Sequence, residues 1–188
     1  MNNVMLDLET MGNGQRAAIV GIGAVLFDPL TGELGAEFEC TVSLLNSAKY
    51  GEIDPSTVLW WMNQSPEARA KLSDPHAVLL SDALFSFSSF LIEQVIAKGP
   101  KPLVWGNGAT FDNVIITSAY LAINSERPWP FWNDRDVRTI VDLGRTLHGF
   151  DPKKETPFVG IAHTPLADAK HQARYVSAIY QKLAGGKA

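Results

Sequence analysis

The chain has 188 residues, a net charge of −4, 46% hydrophobic residues and one cysteine, Cys40. This length and apolar content predict one domain, residues 1–188, with a sizeable core, and the lone thiol excludes an intrachain disulfide or a thiolate zinc cluster. No apolar run approaching the roughly 20 residues of a membrane span and no charged-then-apolar leader stand out, so a cytoplasmic location and no membrane partner are expected.

Asn3 to Glu9 reads as a first strand, "RAAIVGIGAVLFD" as a second and "ELGAEFECTVS" as a third. Between the last two, "DPLTGE" supplies Asp, Pro and Gly for a tight turn, which predicts a three-stranded antiparallel meander. The period then changes. Asp54 before Pro55 and Ser65 before Pro66 are cap-and-first-turn signals for two short helices. "SDALFSFSSFLIEQVIAKG" predicts a longer helix closed by Gly99, "KPLVWGNG" a short strand, and "TFDNVIITSAYLAIN" a helix with Thr110 as N-cap. "WNDRDVRTIVDLGRTL" reads as a short strand or extended turn before a helix, and "GFDPKKETPFVGIAH" as a loop. The closing helix begins at Thr164 and Pro165 and ends near Gly185. Strands that first meander and then alternate with helices predict an α/β fold, a mixed sheet covered by helices.

The first strand, "VMLDLE", carries two carboxylates in an apolar run. Side chains alternate along a strand, so Asp7 and Glu9 share one face and Leu6 and Leu8 the other. Two like charges that close repel and lose hydration. A buried Lys or Arg between them, a divalent cation with its preference for oxygen ligands, or solvation of both at the strand's tip would each resolve the conflict. Two more acids sit at helix starts. Asp112 follows "WGNGATF", and Asp168 lies five residues after His163. Taken singly, each fits an acid that complements a helix dipole.

Together they read Asp7-x-Glu9, Asn107-x-x-x-Phe111-Asp112 and His163-x-x-x-x-Asp168. In order, spacing and flanking residues this resembles the three motifs of the DEDDh 3′–5′ exonucleases, across residues 4–176. "TVLWWMNQ" is further similar to a group of small bacterial and phage members that includes a mycobacterial exoribonuclease and phage exonuclease A. The resemblance implies a ribonuclease H-like fold, with a five-stranded mixed sheet made of the meander plus parallel strands, flanked by helices. It implies that Asp7, Glu9, Asp112 and Asp168 bind two Mg²⁺ or Mn²⁺ ions and that His163 is the general base. It also implies 3′–5′ hydrolysis of single-stranded or 3′-overhang DNA or RNA to nucleoside 5′-monophosphates. His163 stands in a loop flanked by Gly and Pro, which predicts that it swings in when substrate binds. The alternatives are a catalytically silent nucleic-acid-binding module and a polymerase-associated proofreading subunit; a general phosphatase is a further one.

The same resemblance places Thr10, Met11 and Asn107 beside the substrate, with Met11 wedged beneath the last base. Trp60 and Trp61 are candidates to stack a base. Neighbours on a helix point about 100° apart, so one of the two is expected in the site and the other in the core. Residues 1–126 hold 6 Lys/Arg against 14 Asp/Glu, and residues 127–188 hold 10 against 6. The C-terminal third is therefore the expected side for phosphates, with Arg135, Arg138, Lys153 and Lys154 as candidates or as plain solvated surface. His171, three residues after Asp168, is expected at the surface, and His76 and His148 have no acid context. Trp129 and Trp132 are candidates for a homodimer interface or for the core.

Overall fold

A computed structural model describes residues 1–185. Three strands form first: β1 (Asn3–Thr10), β2 (Ile19–Phe27) and β3 (Leu34–Thr41). They are followed by α1 (Leu44–Ser47), α2 (Pro55–Met62), α3 (Pro66–Ala70) and α4 (Leu80–Gln94), then β4 (Leu103–Gly106) and α5 (Asp112–Ala122). β5 (Asp134–Asp136), α6 (Val137–His148), α7 (Pro152–Glu155) and α8 (Pro165–Leu183) complete the order. The sheet runs β3-β2-β1-β4-β5. β1–β2 and β2–β3 pair antiparallel, while β1–β4 and β4–β5 pair parallel. This is the expected mixed sheet, and the ambiguous stretch at 132–147 resolves as an edge strand followed by a helix.

Two helical layers cover the sheet, and β1 shows how the alternation assigns its residues. Val4, Leu6 and Leu8 join the core under α4 and α5, while Met5 joins the one under α6 and α8. Asp7 and Glu9 follow Met5 onto the α8 face. β2 is buried along its whole length, as expected for a strand covered on both sides. α8 crosses it very closely. A Cβ on Gly23 would stand 2.2 Å from the Pro165 carbonyl carbon and 2.3 Å from the Leu166 nitrogen, so only glycine lets the helix start seat there. Gly106 does the same for α5, where a Cβ would stand 2.3 Å from Asn113 Oδ1. Asn113 in turn donates to the Val104 carbonyl and to Asp134 Oδ1, tying α5 to the last two strands.

Several boundaries differ from the sequence expectations. β2 begins at Ile19 rather than Arg16, because residues 11–18 pair instead with the segment around Glu52. α1 was not anticipated; at four residues it is too short to show a period. Asp54 and Ser65 do cap α2 and α3 through their side chains. Thr110 does not cap α5, whose cap position is Phe111. Thr164 occupies the cap position of α8, but its hydroxyl bonds the Ile161 carbonyl instead. The predicted helix to Gly99 breaks at Val95 into a separate 3₁₀ turn, and the expected loop contains α7. The expectation that no stretch approaches a membrane span also needs correction. Leu80–Lys98 reaches that length with a mean hydropathy of 1.3. Its apolar content has a packing reason, since Leu80, Ala83, Leu84, Phe87 and Leu91 are buried against the sheet.

Candidate active site

Each acid reaches the sheet's edge for a different local reason. β4 pairs with β1 only as far as Met5, so beyond that point the β1 amides facing β4 lack a strand partner. Asp112 takes one of them: Leu8 N–H donates to Asp112 Oδ1 at 3.1 Å, and Asn107 N–H donates to Oδ2 at 3.0 Å. Asp168 enters from the opposite layer, on the first turn of α8. Oxygens of Asp7, Glu9 and Asp168 all lie within 4.8 Å of one another. Gln172, one turn beyond Asp168, donates from Nε2 to Asp7 Oδ1 at 2.7 Å.

The electrostatics follow from crowding acids where water is scarce. Burial, then Asp112, Glu9 and Asp168, hold the Asp7 carboxyl well above its ordinary range, against the bond from Gln172. Burial and the charges of Asp168 and Asp112 push Glu9 up to about 8. Burial pushes Asp112 up to about 7, despite the amides of Leu8 and Asn107 and the nearby Arg138 guanidinium. Asp168 is raised by burial, while the His163 ring and the His163 and Thr164 amides draw it back. None of the ion pairs among the described residues involves these four acids, and Asp168 Oδ2 is buried without a partner. An all-oxygen set with charge left unneutralised fits a hard divalent cation.

A cleft of about 450 Å³ opens beside the acids, lined by Glu9, Thr10, Gly12, Ser56, Trp60 and Phe111 among others. The two tryptophans divide as helical geometry requires. Trp61 is 3% exposed and donates from Nε1 to the Thr10 carbonyl at 2.9 Å, whereas Trp60 is 42% exposed and lines the cleft. Trp60 also meets the His163 ring edge to face, with centroids 4.9 Å apart. His163 itself holds φ +62°, a left-handed conformation uncommon for a residue with a side chain. Its ring shares a small cavity with Glu9, Trp61 and Lys71.

The remaining candidates separate. Thr10 lines the cleft and donates its hydroxyl to the Gly12 carbonyl. Met11 is 4% exposed, packed with Ala18, Val20, Trp61 and Ala68, so it backs the cleft wall rather than projecting under a base. Asn107 meets the site through its backbone amide. Arg138 lies against Gly108 and near Asp112. Arg135 spends its guanidinium on the Trp132 and Asp134 carbonyls. Lys153 is exposed, and the Lys154 side chain lies outside what the structure describes. His171 is not a free surface group, because its ring sits between Phe158 and Tyr175 at 5.0 and 5.3 Å. His76 and His148 are exposed. Trp129 is buried and donates to Asp134, while Trp132 is exposed beside Phe131.

Sequence reasoning missed Gln172 and Tyr175. The Tyr175 hydroxyl is buried without a partner among the described residues, and burial and the charges of Asp7 and Asp168 push it upward. The available signal was position: residues 168, 172 and 175 lie four and three apart on one helical face.

A mixed five-stranded sheet with carboxylates gathered from β1, α5 and α8 is the class of architecture the motifs implied, the ribonuclease H-like fold. The particular family follows from comparison with known proteins. The family model of the Rv2179c-like 3′–5′ exoribonuclease domain matches residues 2–180, and the chain belongs to that family. An exodeoxyribonuclease of Enterobacteria phage T4 is 30% identical over 164 residues, covering 76% of this chain and 71% of the phage protein. Among solved structures, the nuclease domain of 3′hExo, a DEDDh member bound to rAMP, matches 96% of this chain and 92% of its own, with TM-score 0.62 and 15% identity. Exonuclease X in complex with 5′ overhanging duplex DNA covers 99% and 95%, with TM-score 0.55 and 18% identity. The chain is thus a 3′–5′ exonuclease by family.

Proposed function

We propose that this chain removes nucleotides one at a time from the 3′ end of single-stranded or 3′-overhang nucleic acid, releasing nucleoside 5′-monophosphates. The observation that carries the reading is the meeting of Asp7, Glu9 and Asp168 within 4.8 Å at the mouth of a nucleotide-sized cleft, with Asp112 anchored beside them.

Asp7, Glu9, Asp112 and Asp168 hold two Mg²⁺ or Mn²⁺ ions in this reading. When bound, such a pair neutralises charge on the attacking and leaving oxygens of an in-line phosphodiester displacement. The chain's own residues do the rest. Trp60 offers a base-stacking face, and Thr10 and Phe111 close the cleft around the terminal nucleotide. His163 takes the proton of the attacking water as general base. Gln172 fixes the orientation of Asp7. DNA and RNA both fit this mechanism, which acts on the phosphodiester. A second copy docking on exposed Phe131 and Trp132 belongs to the same reading, and sedimentation separates monomer from dimer.

The test is an end-labelled strand, as DNA and as RNA, incubated with Mg²⁺, Mn²⁺ or chelator. A ladder shortening from the 3′ end is expected only with metal. Asp112→Ala should lower turnover by about 10³-fold or more, the scale of several kcal/mol of lost metal assistance. Metal-independent cleavage, or full activity in the variant, would refute the proposal.

A further inference from the structure

A second cavity of about 430 Å³ lies on the far side of the cleft wall. The wall is one layer of chain thick. Gly12 faces the cleft and packs on Ala17, which faces the cavity; a Cβ on Gly12 would stand 3.3 Å from that of Ala17. Along α5, Phe111 lines the cleft and Ile115 the cavity, about 6 Å apart at 1.5 Å per residue.

The lining has two parts. Its floor is apolar: Ile19, Leu80, Ile115 and Ala119 are all buried core residues. The mouth is mixed: Arg16, Lys49, half-buried Tyr50 and half-buried Ser118 supply its polar and basic groups, and exposed Leu121 and Ala122 its apolar side. Ser47, 1% exposed, also lines the cavity, and its hydroxyl has no hydrogen-bond partner among the described residues. Unpartnered buried hydroxyls are uncommon and call for an explanation. Arg16 and Lys49 are two of only 6 Lys/Arg among residues 1–126, so placing both at one mouth is a local concentration of positive charge. Glu52 stands 3.5 Å from Arg16, with both side chains largely in solvent. A bound anion has that exposed pair to displace, and such pairs are weak.

An apolar floor with hydroxyls and cations in the same lining suits a heterocycle bearing phosphate. The volume is in the range of small-ligand sites. The occupant with that chemistry is what the adjoining cleft handles, a nucleotide. We propose that this cavity is a nucleotide-holding site separate from the catalytic acids, taking a nucleoside 5′-monophosphate unit with its base on the Ile19–Ile115 floor and its phosphate between Arg16 and Lys49. The choice of nucleotide rests on the exonuclease reading; the site itself involves none of the metal-binding acids. The unit has two sources, a released product or a nucleotide still within a strand.

The test uses the full chain in chelator, where the acid cluster holds no cation. Binding of each nucleoside 5′-monophosphate, of inorganic phosphate and of a single-stranded oligonucleotide is measured by calorimetry. A nucleotide should bind without metal, and more tightly than phosphate. Arg16→Ala/Lys49→Ala should weaken it at least 10-fold, and Ser118→Phe, which fills the cavity from its half-buried wall, should do likewise. Both variants should keep metal-dependent turnover within about 3-fold of the parent. If the oligonucleotide competes for the same Arg16-dependent site, the source is the strand; if only the monophosphate binds there, it is free product. Absence of any nucleotide binding in chelator, or binding unchanged in both variants, would overturn the site. The parallel strand-shortening assay keeps the two readings apart, because an active nuclease without chelator-resistant binding refutes the cavity alone.

Discussion

At the residue scale, the site depends on groups that touch the acids without being acids. Gln172 is the clearest. Its amide spends a donor on Asp7 Oδ1 while its own oxygen has no partner among the described residues, so its placement serves the carboxylate. Partners that orient a metal-binding group typically contribute 10- to 100-fold in metal affinity. Gln172→Ala should therefore raise the metal concentration needed for half-maximal turnover by about that factor, with the rate at saturating metal changed much less. A metal titration of turnover decides this, and an unchanged midpoint would remove Gln172 from the site. Asp112 illustrates a second role. By accepting from Leu8 and Asn107 it satisfies a β1 amide beyond the reach of β4 and the amide that directly follows β4, so the same carboxylate both closes the gap between the two strands and supplies charge. Its sequence neighbourhood, a glycine-containing turn before a helix, made its position legible. The two amides it accepts were not legible, because they come from residues 104 and 5 positions away.

At the element scale, two helices decide whether the acids and the cleft meet. α8 carries Asp168 and Gln172, and it seats on β2 only because Gly23 has no side chain. Gly23→Ala forces a methyl group into the helix backbone. Overpacking of this kind costs about 1–3 kcal/mol, and it also lifts Asp168 from the acid cluster. Lower thermal stability together with lost turnover is expected; an active, equally stable variant would show that α8 has room to move. α2 carries Trp60, and its orientation is set at both ends of the element. Asp54 caps its start and bonds the Met11 carbonyl through its amide, while Trp61 anchors its last turn to Thr10. Trp60 then touches both the cleft and the His163 ring. Base stacking of this kind contributes about 1–3 kcal/mol, so Trp60→Ala should raise KM by about 5- to 150-fold. The loss of the His163 contact should lower kcat as well, and Trp60→Phe should restore most of both. Equal KM in the alanine variant would show that no base stacks there.

At the scale of the whole molecule, the acid cluster opposes folding unless something neutralises it. Burial raises Asp7, Glu9, Asp112 and Asp168, and repulsion from neighbouring acids raises Asp7 and Glu9 further, with Glu9 at about 8 and Asp112 at about 7. An unfolded chain releases these protons near pH 4. Between that point and about pH 8 the folded state therefore binds more protons than the unfolded state. Stability then falls as pH rises across this window. In chelator, the thermal midpoint should decline from about pH 5 to pH 8. Added Mg²⁺ competes with the protons and stabilises the folded state by mass action, so the gap between the two curves should widen toward pH 8. Parallel curves across that range would contradict the shared-acid cluster.

Fold class was legible because periodicity and turn chemistry are local. The meander, the caps of α2 and α3 and the close of the chain in a helix followed from spacing alone. The four acids and His163 stood out only through their combined order and spacing, which carried the resemblance, because each position taken singly suits an ordinary strand tip or helix start. What sequence could not supply was the side of each residue in space. Trp60 and Trp61 are neighbours in the chain, yet one lines a cleft and the other holds a loop. Met11 adjoins the first motif but faces the core, and His171 lies between two aromatic rings rather than in water. Pairwise contact between residues 7 and 172, the glycine seat of α8, and the cavity behind the Gly12 wall arise only when distant segments pack. Sequence by itself determined the main strands and helices and where along them the acids stand; tertiary packing alone decided which faces meet, because burial and contact depend on neighbours the local chain does not contain.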